Sequence, residues 1–261
     1  MVDNRPIGLF DSGVGGLSVL IEIKKLLPKE NLVFLADKKN VPYGQKTKSQ
    51  LQKLGAKIAN FLLEKHNIKL LIIACNTSTC YSLDYLRSKF KIPIVGTVPA
   101  VKPAATLTKK AKIAVMSTPA TAKSPYLASL IKNHAIGLKV LKIGCEGLEE
   151  AIENLKGKEI RRILDIYGQK VKKFGADIIV LGCTHYPFIK NDFLRRIGSN
   201  VWIIDSGPAI AKRVKFILTQ KNALGENKSE DLYYTTGEPE KFSKVASHLL
   251  KYKIAARKVD L

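Results

Sequence analysis

Residues 70–77 read LLIIACNT, and residues 178–185 read IIVLGCTH. Each is an aliphatic run, a small residue, a cysteine and then polar residues. Runs with no polar alternation suit strands buried on both faces, as in a parallel sheet covered by helices. Further runs of the same kind are PIGLFDS (6–12), LVFLAD (32–37), IPIVGT (92–97), KIAVMS (112–117), LKVLKIG (138–144), VWIIDS (201–206) and LYYTTG (232–237). Longer helix-like stretches separate them, with proline and glycine at the junctions. Strand–helix alternation predicts an α/β fold of about nine strands.

Two echoes suggest that the strands divide into two similar domains, each a mostly parallel sheet flanked by helices. ACNT (74–77) is echoed by GCTH (182–185), and DSG (11–13) by DSG (205–207). Ligands of open α/β sheets sit beyond the carboxyl ends of the strands. All four echoed segments lie at such ends, and a cleft between the halves would gather them into one active site. The expected division is 1–97 plus 208–261 for the first domain and 98–207 for the second.

The chain has 261 residues, of which 46% are hydrophobic, enough for a proper core. No apolar run approaches the roughly 18–20 residues that span a bilayer. The N-terminus MVDNRPIGLF lacks the order of a signal peptide, so a cytoplasmic protein with no membrane partner is expected. The four cysteines, Cys75, Cys80, Cys145 and Cys183, include no C-x-x-C pair. They read as free thiols, with no metal site expected. The formal charge is +22, but its lysines are scattered over helix surfaces, with no basic tail and no RNA-binding motif. No specific nucleic-acid partner is expected; an acidic small molecule would be drawn in by the same field.

Free cysteine is often simply a small buried hydrophobe. At a strand end, a following helix N-terminus would favour a thiolate, and Asn76, Thr77, Thr184 and His185 would offer groups suited to a carboxylate. Two thiols across a cleft admit a disulfide, a single nucleophile with a bystander, or an acid/base pair on opposite faces of a substrate carbon. A ligand between them would hold the sulfurs too far apart for a disulfide. An acid/base pair would require each thiol within reach of the carbon's proton, and would invert its configuration. Asp11, in FDSGVGGLSV, is either a turn cap or a carboxylate that orients a thiol or accepts a substrate ammonium. DSGVGG matches neither phosphate-binding loop pattern. His185, two residues after Cys183, would perturb that thiol or shuttle its proton. VPYGQKT (41–47) is either an ordinary turn or a loop whose Tyr43-Gly44 backbone meets the ligand.

At these residues the chain resembles the glutamate racemases, within the wider aspartate/glutamate racemase group. The matching stretches are IGLFDSGVGGLSVL, VPYGQKT, ACNTSTC and VLGCTHYP, in the family's order from residue 7 to residue 187, and the likeness covers the whole chain. GCTH in place of GCTE leans toward glutamate over aspartate. The resemblance implies cofactor-independent proton transfer between L- and D-glutamate, supplying D-glutamate for peptidoglycan, in a two-domain enzyme that is commonly a homodimer. It implies that Cys75 and Cys183 are the acid/base thiols, the first serving the D-isomer and the second the L-isomer. Asp11 would assist Cys75, and His185 would assist Cys183. Substrate would be bound by Asp11, Ser12, Tyr43, Gly44, Asn76, Thr77, Thr184 and His185, with Thr121 of STPATAKSPY as a further contact. Many members carry prolines before an acidic residue that assists the second thiol. Here that region reads CEGLEEAIEN (145–154), without them. Glu153 fits the spacing best, and Glu149 and Glu150 compete with it. No lysine is marked as an anchor for pyridoxal phosphate. The rival readings are a racemase of aspartate or of several amino acids, a basic polyanion-binding protein, and an inactive scaffold of the same fold.

Overall fold

The computed structural model describes residues 2–198, 200–227 and 229–261. In chain order the elements are β1 (Ile7–Asp11), α1 (Leu17–Leu26), β2 (Leu32–Ala36), α2 (Lys48–His66), β3 (Leu70–Ile73), α3 (Asn76–Lys89) and β4 (Ile94–Gly96). Next come α4 (Val101–Leu107), β5 (Lys112–Ser117), α5 (Pro119–Lys123), α6 (Pro125–His134), β6 (Lys139–Gly144), α7 (Leu148–Glu153) and α8 (Gly157–Phe174). The chain finishes with β7 (Ile178–Gly182), α9 (Lys190–Ile197), β8 (Trp202–Asp205), α10 (Gly207–Gln220), β9 (Leu232–Thr235), α11 (Pro239–Leu250) and β10 (Ala256–Lys258). The fold is α/β with two parallel sheets flanked by helices, as expected. The chain forms two compact units, one of the residues up to Thr97 with Gly207–Leu261, the other Val98–Ser206.

The first unit holds a six-stranded sheet in the order β10-β9-β2-β1-β3-β4, with every neighbouring pair parallel. Strands β1, β2 and β3 are buried along their whole length, which is why they read as unbroken apolar runs. One face packs against α2 and α3 through Phe10, Leu35, Leu71, Ile58, Leu62 and Leu86. On the other, Phe34 of β2 stacks on Phe242 of α11. Helix α2 starts with a capping box, in which Thr47 and Gln50 satisfy each other's backbone N–H groups. It stops at Asn67 in the left-handed conformation.

The second unit holds a four-stranded sheet in the order β6-β5-β7-β8, again parallel throughout. Alternate residues of β5 serve two cores. Ala114 and Met116 face the cluster built with α7, α8 and α9, and Ile113 and Val115 face the one built with α4 and α6. Helix α8 buries Ile160, Ile163, Leu164 and Val171, a stripe of helical period. The edge strands are more polar and exposed, with Lys139 and Lys142 on β6 and a largely exposed Trp202 on β8.

Both sheets contain the same switch. The chain passes from the first strand to a neighbour on one side, then crosses to the other side for the third. In the first unit the switch lies between β1 and β3, and in the second between β5 and β7. Crevices at the carboxyl ends of such strand pairs are where open α/β sheets bind ligands. Cys75 and Cys183 follow the third strand of their respective units, so the ACNT/GCTH echo joins equivalent positions. The DSG echo does not: Asp11 ends β1 at the centre of its sheet, whereas Asp205 ends β8 at an edge.

Candidate functional site

The first constellation gathers at the carboxyl ends of β1, β2 and β3. Cys75 is the N-cap of α3, and its Sγ accepts a hydrogen bond from the Ser78 N–H at 3.4 Å. That donor is one of the orphan N–H groups of a helix start, where partial positive charge favours a thiolate. Asp11 is fully buried at the end of β1 and accepts from the Gly13 N–H at 2.9 Å and the Ser12 hydroxyl at 3.1 Å. Ser12 Oγ lies 3.8 Å from Cys75 Sγ, so a chain of polar contacts runs from Asp11 through Ser12 to the thiol. Gly16 allows the turn after β1 to close on these strands: a Cβ there would stand 2.8 Å from Asp11 Cβ and 3.0 Å from Ala74 Cβ.

Tyr43 is buried against Cys75 and Leu51, and Gly44 beside it is exposed. The Tyr43 hydroxyl donates to Asp37 Oδ2 at 2.7 Å. Burial, followed by the charge of Asp37, raises the phenol well above its ordinary pKa. Asp37 also accepts from Asn40 Nδ2 at 2.9 Å and Thr236 Oγ1 at 2.7 Å. Asn76 directs its amide at the Thr97 carbonyl, 3.1 Å away. Thr77 is buried on the first turn of α3.

The second constellation gathers at the carboxyl ends of β5, β6 and β7. Cys183 follows β7, but the expectation of a helix start beyond it holds only loosely. A 3-10 turn, Tyr186–Ile189, comes first, and α9 begins at Lys190. The neighbour of this thiol is instead an imidazole: Cys183 Sγ lies 3.6 Å from His185 Nδ1, and His185 Nε2 lies 2.7 Å from Glu153 Oε1. Burial raises the Cys183 pKa against the opposing hydrogen bond from His185. Burial disfavours the His185 imidazolium, but its hydrogen bonds to Cys183 and Glu153 outweigh that penalty, and its pKa stands well above the usual value. The arrangement can therefore hold protons on both the sulfur and the ring.

Glu149 and Glu153 lie one turn apart on α7, so both reach the same neighbour. A carboxylate oxygen of Glu149, Cys183 Sγ and a ring nitrogen of His185 all lie within 4.8 Å of one another. Glu150 points away, pairing with Lys156 in solvent. Thr184 is buried next to the thiol. Thr121, fully buried on α5, donates its N–H to Thr118 Oγ1 at 3.3 Å. Behind Cys183, the Tyr186 hydroxyl reaches the Cys145 carbonyl at 3.5 Å. Burial pushes the Cys145 thiol up to about 12, which makes it inert as a thiolate.

Asp37 escapes the sequence analysis, although it carries a readable signal, since it stands directly after β2 as Asp11 stands at the end of the neighbouring β1. Glu153, which fits the spacing best in the sequence, lies against His185, and its competitor Glu149 approaches the same ring.

Comparison with known proteins places these features in a family. The model for Asp/Glu/hydantoin racemases matches residues 10–214. The glutamate racemase of Herpetosiphon aurantiacus is 39% identical, over 93% of this chain and 96% of its own. A crystal structure of a Bacillus anthracis glutamate racemase superposes with a TM-score of 0.88 at 32% identity, covering 99% of this chain and 98% of that one. The Escherichia coli glutamate racemase, solved with L-glutamate and the activator UDP-MurNAc-ala, superposes with a TM-score of 0.84 at 32% identity over 97% of both chains.

Proposed function

The chain belongs to the Asp/Glu/hydantoin racemase family, a family of isomerases, and on that premise we propose that it interconverts L- and D-glutamate through Cys75 and Cys183. The observation that carries this reading is the matched position of the two thiols. Each follows the third strand of its own sheet and has its own polar neighbour, Ser12 for Cys75 at 3.8 Å and His185 for Cys183 at 3.6 Å. Glutamate as substrate is supported by the relatives, which are glutamate racemases.

The α-proton of an amino acid is weakly acidic because the adjacent carboxylate resists further negative charge. In the proposed reaction the thiolate of one cysteine takes the α-proton, and the thiol of the other delivers a proton to the opposite face. Cys183 would act first on the L-isomer and Cys75 first on the D-isomer. One thiolate and one thiol exchange states with each turnover, so no external acid, base or redox partner is consumed. Asp11, acting through Ser12, would set the state of Cys75; His185, held by Glu153, would set that of Cys183. The N–H groups at the start of α3, with Asn76, Thr77 and Thr184, would receive the substrate carboxylate and the charge that develops on it. Tyr43, Gly44 and Thr121 would complete the binding shell. No electron-sink cofactor is required in this scheme.

A homodimer supplying D-glutamate for peptidoglycan in the cytoplasm completes the proposal. The complex of the E. coli relative with UDP-MurNAc-ala supports the cell-wall setting. The test is to incubate the purified protein separately with L- and D-glutamate and follow optical rotation. Decay to zero from both isomers is expected. Decay with aspartate and not with glutamate would reassign the substrate within the family, and silence with both would remove the racemase reading.

A further inference from the structure

We propose that Cys183, His185 and Glu149 form a binding site for a thiophilic divalent cation, of which Zn²⁺ is the type, and that occupation of it switches the enzyme off. The donors are Sγ, a ring nitrogen and a carboxylate oxygen, all within 4.8 Å of one another, and Nδ1 is the ring nitrogen that meets the sulfur. This is a mixed sulfur, nitrogen and oxygen set of the kind zinc accepts. Cys183 and His185 are buried and Glu149 is half-buried, so the set is enclosed while one side remains open.

The distances suit the ion. Bonds of about 2.3 Å to sulfur and about 2.0–2.1 Å to nitrogen, at a tetrahedral angle, put the two ligand atoms about 3.6 Å apart. Cys183 Sγ and His185 Nδ1 are separated by 3.6 Å. The imidazole is also held as metal sites hold theirs. Its far nitrogen, Nε2, sits 2.7 Å from Glu153 Oε1. That carboxylate fixes the ring orientation and, once Nδ1 has given up its proton, favours the tautomer whose Nδ1 lone pair faces the metal, the carboxylate–histidine–metal relay of zinc proteins. One short helix supplies both parts, since Glu149 and Glu153 are a turn apart on α7. The absence of a C-x-x-C pair argues only against a site with neighbouring cysteines. Here the ligands come from two elements distant in sequence.

Coordination breaks the S–H bond of Cys183 and the N–H bond at His185 Nδ1 where that nitrogen is protonated, releases these protons to solvent, and forms the metal–sulfur and metal–nitrogen bonds with no change of oxidation state. Glu149 donates as the carboxylate, and water fills the fourth position. A sulfur bound in this way can neither take nor deliver an α-proton. Inhibition, unlike binding, therefore rests on the proposed role of Cys183 in racemisation.

The experiment titrates Co²⁺ and then Zn²⁺ into the full-length protein, freed of metal by chelation, and reads the absorption spectrum and the rate of glutamate racemisation in parallel. A thiolate-to-cobalt charge-transfer band with tetrahedral d–d bands is expected, displaced by Zn²⁺. The band should vanish in Cys183→Ser and persist in Cys80→Ala and Cys145→Ala. Affinity should fall at least tenfold in Glu149→Gln, and about 10–100-fold in Glu153→Gln as the imidazole loses its support. Racemisation should fall in step with Zn²⁺ occupancy and return with chelator. No thiolate band, or a band that survives Cys183→Ser, would overturn the site. A correct band in a protein that never turns over glutamate would leave the site standing and remove the racemase reading. Full activity at saturating Zn²⁺ occupancy would overturn the switch.

Discussion

His185 Nε2 stands 2.7 Å from Glu153 Oε1, in a pair whose side chains are only 2% and 9% exposed. The contact turns the other ring nitrogen toward Cys183, and the hydrogen bonds to Cys183 and Glu153 together raise the His185 pKa well above its usual value against the cost of burial. A histidine whose folded pKa is raised contributes stability that is complete below its unfolded pKa, about 6.5. That contribution is lost as pH rises through the folded value. Glu153→Gln keeps the shape and removes the charge. It should lower the His185 pKa, measurable by NMR titration of the ring. Its stability deficit in denaturant should be largest below about pH 6.5 and shrink at alkaline pH. A deficit that grows with pH would contradict this assignment of charge.

Asp37 should matter to the substrate without touching it. It is fully buried and accepts hydrogen bonds from Tyr43, Asn40 and Thr236, which ties the 41–47 loop to the sheet. Asp37→Ala leaves these donors with no acceptor and should cost at least about 2 kcal/mol. With Tyr43 released beside Cys75, KM for glutamate should rise more than kcat falls. Tyr43→Phe removes one of the three bonds and should be the milder change, about 1–2 kcal/mol. An unaltered KM in both variants would separate this loop from the site.

The far end of β3 carries a different kind of lock. Lys69 and Glu30 form an ion pair at 2.6 Å with 1% and 2% exposure. Lys69 Nζ also donates to the carbonyls of Asp3 and Ala223, and Glu30 accepts the Gly225 N–H. Removing one partner from such a buried pair typically costs about 3–5 kcal/mol, because the other charge is left uncompensated. Lys69→Met should lower stability by that amount in chemical denaturation. Because Lys69 precedes β3 and Cys75 follows it, activity per folded molecule should stay close to normal at low temperature.

Much of this architecture is legible in the sequence because burial on both faces leaves a plain mark. Each of the nine apolar runs contains a strand, and the shared cysteine pattern of 70–77 and 178–185 points to equivalent positions in two sheets. β10 leaves no such mark. Its residues, Ala256–Lys258, form a short edge strand whose exposure requires no apolar run. The DSG repeat misleads because a three-residue turn signal recurs wherever a strand gives way to a helix, whatever the strand's place in the sheet. His185 is readable from its closeness to Cys183 in sequence. Spacing favours Glu153, but whether Glu149 or Glu150 shares its approach to His185 is not readable, because it depends on how α7 is rotated against β7. The packing of Leu148, Ala151 and Ile152 into the core sets that rotation, leaving Glu150 in solvent and turning the other two toward His185.

The central claim is that two thiols work on opposite faces of one carbon, and isotope exchange tests it most directly. L- and D-glutamate would be incubated separately in D₂O with the native protein, Cys75→Ser and Cys183→Ser, following α-deuterium and optical rotation together. The native protein should lose rotation from either isomer, with deuterium entering at Cα of the product. Each serine variant should keep its fold and lose racemisation by about 10²–10⁴-fold, the usual contribution of a positioned acid or base. Near-normal turnover in either variant, or loss of rotation without deuterium at Cα, would contradict the two-thiol account.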